Sequence, residues 1–552
     1  MKIDKVWIND FKNLKDIKVD FSENNFVNVI LGWNGTGKSN LLEALVLIFR
    51  NIDLNKKSDF DFEIDYFCNG KKVRIRGNKE LQGTKSYNFF ELQKENSLSL
   101  SLSQFKDQEL LPEYVFGYYS GPSDRLSSHF QEHQKRFYDA LLRGDEKALR
   151  PFFYARPIHS QFVLLSFFIT NDAKVNKFLK DTMGIEGLDS VLFVLNKPNW
   201  NSSGGDERFW NSRGVVQKFL SHLMTVSIAP LKLSRRDKVD FRKSEMKEFL
   251  YLYVKDIDSL QQLKELAVKG TKDKGEASRD FFKLLESTYI SELLDEVRIR
   301  VKIKNSDQSL TFRELSEGEQ QLLTVLGLLR FTGNKNSLFL LDEPDTHINP
   351  SWSIDYIEHL KSIGGLEEFL ETEKNKKQKR SQSQIIMATH NPLVIANLKK
   401  EQVHILNRDN DRQKISVSIP ETDPRGLGVS GILTSDMFGL RSELDVSTQS
   451  LINEQARLIT KDKLTVKDKQ RLEKLNTEMN LLGFMSTHSN PLYEKFLKAY
   501  MKLQGETETS MRVISKSEQV ESLNVAKRIV STLKKSTKKK TAKKNTSKKK
   551  VK

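Results

Sequence analysis

The chain predicts an α/β fold organised on a phosphate-binding loop, and three stretches far apart in sequence carry that prediction. Residues 26–31 form an apolar run that enters Gly32-Trp33-Asn34-Gly35-Thr36-Gly37-Lys38-Ser39, and residues 41–49 follow as an apolar helical stretch. Residues 338–341 form a second apolar run, ending in Asp342-Glu343. Residues 385–388 form a third, ending in Thr389-His390. Short apolar runs closed by polar or turn residues, with helical patterns between them, read as buried strands.

The first stretch fits the pattern G-x-x-x-x-G-K-[ST] in the context it requires, strand before and helix after. Glycines let successive backbone N–H groups turn toward a triphosphate, and the helix N-terminus adds partial positive charge. Asn34, Gly35, Thr36, Gly37, Lys38, Ser39 and Asn40 are therefore the candidate nucleotide-binding residues. Lys38 would bridge the β- and γ-phosphates of ATP, and the Ser39 hydroxyl would ligate Mg²⁺. In the second stretch Asp342 is placed to hold Mg²⁺ and Glu343 to orient or activate the attacking water.

Leu315-Ser316-Glu317-Gly318-Glu319 precedes an apolar helix over 322–329. Ser316 and Glu319 fit a capping box, and a helix start with Ser and Gly is also an anion site; the two readings are compatible. His390 alone would pass as a structural histidine at a strand end. Its position behind the other motifs singles it out.

The rest of the sequence sets bounds. With 552 residues, 38% hydrophobic and 30% charged, a soluble multi-domain protein is expected. No apolar run reaches the roughly 18–20 residues of a membrane helix, and Met1-Lys2-Ile3-Asp4 opens no secretory signal. The single cysteine, Cys68, excludes an intramolecular disulfide and fits a cytoplasmic location. The net charge of +17 is concentrated, since residues 534–552 hold eleven lysines and no acid. Such a tail cannot bury enough apolar area to fold alone. It reads equally as an arm on nucleic acid phosphates or as a solvated tail.

Strands are expected over 6–11, 17–21 and 114–119, with a hairpin over 59–77 turning at Asn69-Gly70 and a second pairing 403–406 with 415–417. The expected division is an N-terminal head lobe over 1–124, a mixed, mainly helical insertion over 125–300 and a C-terminal head lobe over 301–445. A helical region over 446–530 and a disordered tail over 531–552 complete it. Residues 232–301 read as charged helices with short strands, and no heptad register persists there.

Taken in order, the P-loop, L-S-E-G-E, LLDEP and the T-H at the next strand end resemble the ABC-type ATPase heads of the RecF, SMC and RecN group. The resemblance implies that Ser316 and Gly318 form a signature touching ATP held by a second subunit, and that His390 is a switch histidine. It makes residues 346–350 the D-loop, with Asn349 where many relatives carry Asp. It also calls for a glutamine near Mg²⁺ and the water, for which Gln161 is the candidate, and sets Phe11-Lys12-Asn13 near the adenine. ATP-driven homodimerisation through a nucleotide sandwich is the implied mechanism. GWNGTGKS, YYSGP at 118–122, LDEPDTHINP at 341–350 and GILTSDMFGL at 431–440 are similar to restriction-system-associated AAA-labelled ATPases and to the ATPase subunit of Septu-type antiphage systems. In that group the ATPase acts with a separate HNH nuclease, sometimes beside a retron. Asp409-Asn410-Asp411 resembles a nuclease Asp-x-Asp, but it reads as a turn, so no intrinsic nuclease is expected. A RecF-like repair or chromosome-associated ATPase is the alternative.

Overall fold

A computed structural model describes residues 1–22, 25–93, 96–145, 150–200, 203–238, 242, 244–268, 274–304, 309–332, 336–364, 383–408, 414–440, 442–461 and 463–482. They fall into two compact units. The first comprises Met1–Asn397 with Glu401–Ile419, and the second comprises Leu398–Lys400 with the residues from Pro420 onward.

The first unit opens with β1 (Lys2–Asn9), β2 (Ile17–Asp20), β3 (Val27–Gly32) and α1 (Lys38–Asp53). Strands β4 (Asp61–Cys68), β5 (Lys71–Gly77), β6 (Tyr87–Leu92) and β7 (Ser97–Leu100) lead through α2 (Leu102–Asp107) to β8 (Tyr114–Tyr119). Then come α3 (Gln131–Arg143), β9 (Phe152–Tyr154), α4 (Ile158–Thr170), α5 (Ala173–Asp181), β10 (Ile185–Asn196) and α6 (Gly214–Val226). The long strands β11 (Ile228–Lys238) and β12 (Ser244–Val254) precede α7 (Ile257–Ala267), α8 (Lys274–Ile290), β13 (Leu294–Ile303) and β14 (Ser309–Thr311). The unit closes with α9 (Glu317–Thr332), β15 (Ser337–Asp342), α10 (Pro350–Ile363), β16 (Gln384–Ala388), α11 (Pro392–Ile395), β17 (Val403–Arg408) and β18 (Ile415–Ser418).

A seven-stranded sheet in the order β18-β17-β3-β16-β15-β8-β9 is the frame of the site. From β17 to β9 neighbouring strands run parallel, and only β18 is antiparallel. The two strands that carry the P-loop and the paired acids are therefore separated by β16 alone, and all three end on the same edge. Ligands of parallel sheets bind beyond the carboxyl ends of such strands. A six-stranded antiparallel sheet, β2-β1-β4-β5-β6-β7, covers the other side of α1. Leu41, Leu45, Ile48 and Phe49 of α1 share one core with Ile64 and Ile75 of that sheet and with Leu338, Leu340 and Ile386 of the parallel one. Burial on both sides explains why α1 is apolar nearly all round rather than striped. The expected β4–β5 hairpin forms at Asn69-Gly70, whose φ angles of 48° and 78° are the two positive values a tight hairpin turn requires.

The third sheet, β11-β12-β10-β13-β14, is antiparallel and lies within the expected insertion. Its strands are longer than the short ones expected over 232–301: β11 and β12 have 11 residues each and β13 has 10. In β13 Val297, Ile299 and Val301 point inward while Arg298, Arg300 and Lys302 alternate outward. The dense outward charges make a half-buried strand look like a charged helix. α4 is buried along almost its whole length and packs against α8 and α9.

The second unit contains α12 (Gly428–Thr434), α13 (Val446–Thr460) and α14 (Val466–Leu481). Asp445 caps α13 by accepting from the Thr448 amide at 2.9 Å, and Thr465 caps α14 through a reciprocal box with Asp468. Arg471 of α14 forks onto Glu454 of α13 at 2.8 and 2.6 Å. The lysine tail and the remainder of the expected C-terminal helical region lie outside the described residues.

Candidate functional site

The P-loop joins β3 to α1 through backbone geometry that only glycine takes easily. Gly35 and Gly37 have φ of 84° and 95°, and Gly37 is the N-cap residue of α1. A Cβ on Gly37 would stand 2.8 Å from Leu14 Cδ2 and 3.0 Å from Asn13 Oδ1. Lys38 is buried, and its Nζ donates to the Gly32 carbonyl at 2.7 Å. Burial lowers the Lys38 pKa, while Glu343 and Asp342 oppose that shift. A cavity of about 250 Å³ opens here, lined by Asn13, Asn34, Lys38, Ser39, Arg125 and Glu343 among others.

One side of the cavity is wired by polar side chains. Asn13 Nδ2 donates to the Gly35 carbonyl at 3.0 Å, and Asn40 Nδ2 donates to Asn13 Oδ1 at 2.6 Å. Arg125 donates to Asn40 Oδ1 at 2.6 Å. Behind them Glu43 of α1 receives Lys12 at 2.5 Å and His129 at 2.8 Å. Burial alone would raise the Glu43 carboxyl, but the His129 hydrogen bond and Lys12 bring it down to about 2. Arg125 was not singled out by sequence, because a lone arginine in Ser123-Asp124-Arg125 has no motif around it.

Asp342 ends β15 fully buried, and its Oδ1 atom has no hydrogen-bond partner among the described residues. Burial raises its pKa, against the Ser39 hydroxyl that hydrogen-bonds to it. An orphaned carboxylate oxygen beside a serine hydroxyl is the donor set a hard divalent cation takes. The residues present thus fit Mg²⁺, with Ser39 and Asp342 as holders. Glu343 follows in a left-handed conformation, φ 52°, anchored by its amide donating to the Ala388 carbonyl of β16 at 2.8 Å. Its Oε1 lies 3.2 Å from His390 Nδ1, the residue carried past the end of β16. Thr389 Oγ1 donates to buried Asp345 Oδ2 at 2.9 Å, fixing the start of that turn.

Ser316 and Glu319 form the capping box at the head of α9: the Ser316 amide and hydroxyl both donate to Glu319 Oε2, at 2.6 and 2.8 Å. Ser316 is exposed and Gly318 buried, and neither lines the P-loop cavity. A Cβ on Gly318 would stand 2.2 Å from the His347 carbonyl, so α9 touches the loop after Glu343. Asn349 caps α10, accepting from the Ser351 amide at 3.0 Å. Gln161 lies on α4, a helix that packs against α8 and α9, and is not among the residues that line the cavity; its Oε1 is buried with no hydrogen-bond partner among the described residues. The end of β8 stands closer: the Ser120 amide donates to the Asp342 carbonyl at 3.3 Å. Asp409-Asn410-Asp411 lies outside the described residues.

A family model described as "AAA ATPase domain" matches residues 1–140, and one described as "AAA domain, putative AbiEii toxin, Type IV TA system" matches residues 206–396. The chain carries AAA-type ATPase domain sequence. The ATPase is 22% identical over 465 residues to "Retron Vc95 probable ATPase" of Vibrio cholerae serotype O1 biovar El Tor, covering 78% of each chain. It is 25% identical over 169 residues to "Septu protein PtuA" of Bacillus mycoides (strain KBAB4), 29% of this chain and 21% of that one. A 104-residue stretch is 34% identical to "DNA replication and repair protein RecF" of Caldanaerobacter subterraneus subsp. tengcongensis, 14% of this chain and 28% of that protein. The ATPase thus spans about a fifth of PtuA and more than three quarters of the retron protein. Among solved structures it is similar to an Smc head bound to the C-winged helix domain of ScpA, with TM-score 0.31 and 12% identity over 76% of this chain and 98% of that one. No described helix is long and apolar enough to cross a membrane.

Proposed function

We propose that this ATPase hydrolyses ATP at a site completed by a second copy of itself, and that it is the nucleotide-gated subunit of a cytoplasmic bacterial antiphage defence system acting with a separate effector nuclease. One observation carries the dimer reading. Lys38, Ser39, Asp342, Glu343 and His390 converge on one sheet edge, while the exposed Ser316 at the head of α9 stays outside the P-loop cavity. A helix N-terminus that presents a serine outside its own subunit's phosphate cavity suits an ATP held by another.

Within each site Lys38 and the loop amides would bind the β- and γ-phosphates, and Arg125, tethered through Asn40, would add a cation at the cavity wall. Ser39 and Asp342 would hold Mg²⁺, which neutralises phosphate charge when bound. Glu343 would orient the attacking water and take its proton, with His390 holding that carboxylate at 3.2 Å. The relatives named for Septu and for a retron support the defence reading. The lysine tail suits an additional nucleic acid contact.

The test is Glu343→Gln in the full chain. Loss of proton acceptance is expected to slow hydrolysis about 10²–10⁴-fold while ATP still binds, so light scattering should find an ATP-dependent dimer. An ATP-loaded monomer would remove the composite site from the account. Copurification of a nuclease favours defence, whereas stimulation by gapped DNA with no such partner favours the RecF-like alternative.

A further inference from the structure

A second cavity in the first unit is larger than the P-loop one, about 700 Å³ against about 250 Å³. That volume is in the range of small-molecule sites and admits a mononucleotide. One wall is a single face of α3, where Gln131, Gln134, Lys135 and Tyr138 recur at the i, i+3, i+4, i+7 spacing of a helix face. Arg156, Tyr289, Lys197 and Lys247 also line it, with Glu292 and Asp295 as the acids. Of the four cations, Lys197 pairs with Glu248 at 3.7 Å and Lys247 with Asp237 at 3.2 Å, which leaves Lys135 and Arg156 as the cations open to a ligand.

Arg156 is preorganised. Its guanidinium donates to Gln134 Oε1 at 3.2 Å and to the Tyr289 hydroxyl at 3.4 Å. Its amide donates to His159 Nδ1 at 2.7 Å, and His159 is in turn held by buried Glu286 at 2.8 Å. A guanidinium fixed before binding favours a phosphate, whose oxygens match its fork. Lys135 is exposed and has no ion pair among the described residues. Tyr138, Tyr289, Asn196 and Asn199 also line it, side chains of the kinds that hold a base.

We propose that this cavity binds a phosphorylated nucleoside, either as a free mononucleotide or as the 5′-phosphorylated end of a strand. The experiment is isothermal titration of the full chain carrying Lys38→Ala, which silences the P-loop and separates this test from the hydrolysis reading. Thymidine 5′-monophosphate is compared with thymidine, and 5′-phosphorylated tetrathymidylate with its 5′-hydroxyl counterpart. In at least one pair the phosphorylated probe should bind about tenfold or more tightly. Adding Lys135→Glu with Lys197→Glu, both exposed positions, should then weaken that binding about tenfold with the melting temperature unchanged. Discrimination in the mononucleotide pair assigns the free nucleotide, and discrimination in the tetranucleotide pair alone assigns the strand end. Binding of neither phosphorylated probe below about 1 mM, or binding that ignores the charge reversal, would overturn the proposal.

Discussion

At the scale of single residues the site stores energy in two places. Glu343 takes a left-handed backbone conformation that costs a non-glycine residue roughly 1–2 kcal/mol, and its amide bond to Ala388 holds it there. Asp342 is buried with one oxygen unpartnered, and its pKa is raised by that burial. For an acid whose folded pKa lies above its unfolded value, stability is fully present at low pH and declines as pH rises through the folded pKa. Ionisation of Asp342 therefore opposes folding of the metal-free protein. Asp342→Asn should raise the melting temperature of that form by about 2 °C while abolishing hydrolysis. Calorimetry and a phosphate-release assay check both halves; an unchanged or lower melting temperature would show that the carboxylate is not strained. The P-loop and the two acids were legible because their spacing is dictated by the phosphate chemistry. Arg125 was not, because it reaches the cavity through tertiary contacts with Asn40 and Glu43 that no local pattern encodes. Gln161 rests on resemblance alone, because a helix-borne glutamine carries no local pattern that says which site it serves.

Among the elements, α9 is the one with two tasks. Its N-terminal turn is a satisfied capping box, and Gly318 lets it approach the His347 carbonyl. Gly318→Ala places a Cβ 2.2 Å from that backbone oxygen, which cannot rotate away. Overpacking of this kind costs about 1–3 kcal/mol, so the variant should melt earlier and lose most of its hydrolysis. Wild-type activity with full stability would show that α9 and the 343–349 loop move apart freely. Elements near the site were read correctly where apolar runs are bounded by turn residues, as in β3, β8, β15 and β16. The antiparallel sheet of the insertion is longer than expected, and in β13 the outward Arg298, Arg300 and Lys302 hide the period of two from a reading of apolar runs.

For the whole molecule, acid should act through a buried histidine of the parallel sheet. His404 of β17 is buried against Asn28 and Phe21, and burial lowers its pKa to about 4, opposed by Asp20. A histidine with a depressed folded pKa contributes stability above its unfolded value of 6.5, lost as pH falls toward about 4. His404→Gln should flatten the melting temperature across that window, and an unaltered slope would assign the acid sensitivity elsewhere. The larger question is whether two copies share their sites. Two inactive variants answer it: Lys38→Ala disables a subunit's own P-loop, and Ser316→Arg disables the signature it offers to a partner. Each alone should be inactive. Mixed in equal amounts, half of the randomly paired dimers carry both variants, and each of these has one intact composite site of two. The mixture should therefore recover about a quarter of wild-type ATP hydrolysis. No recovery, or full activity of Ser316→Arg by itself, would contradict a site built from two subunits.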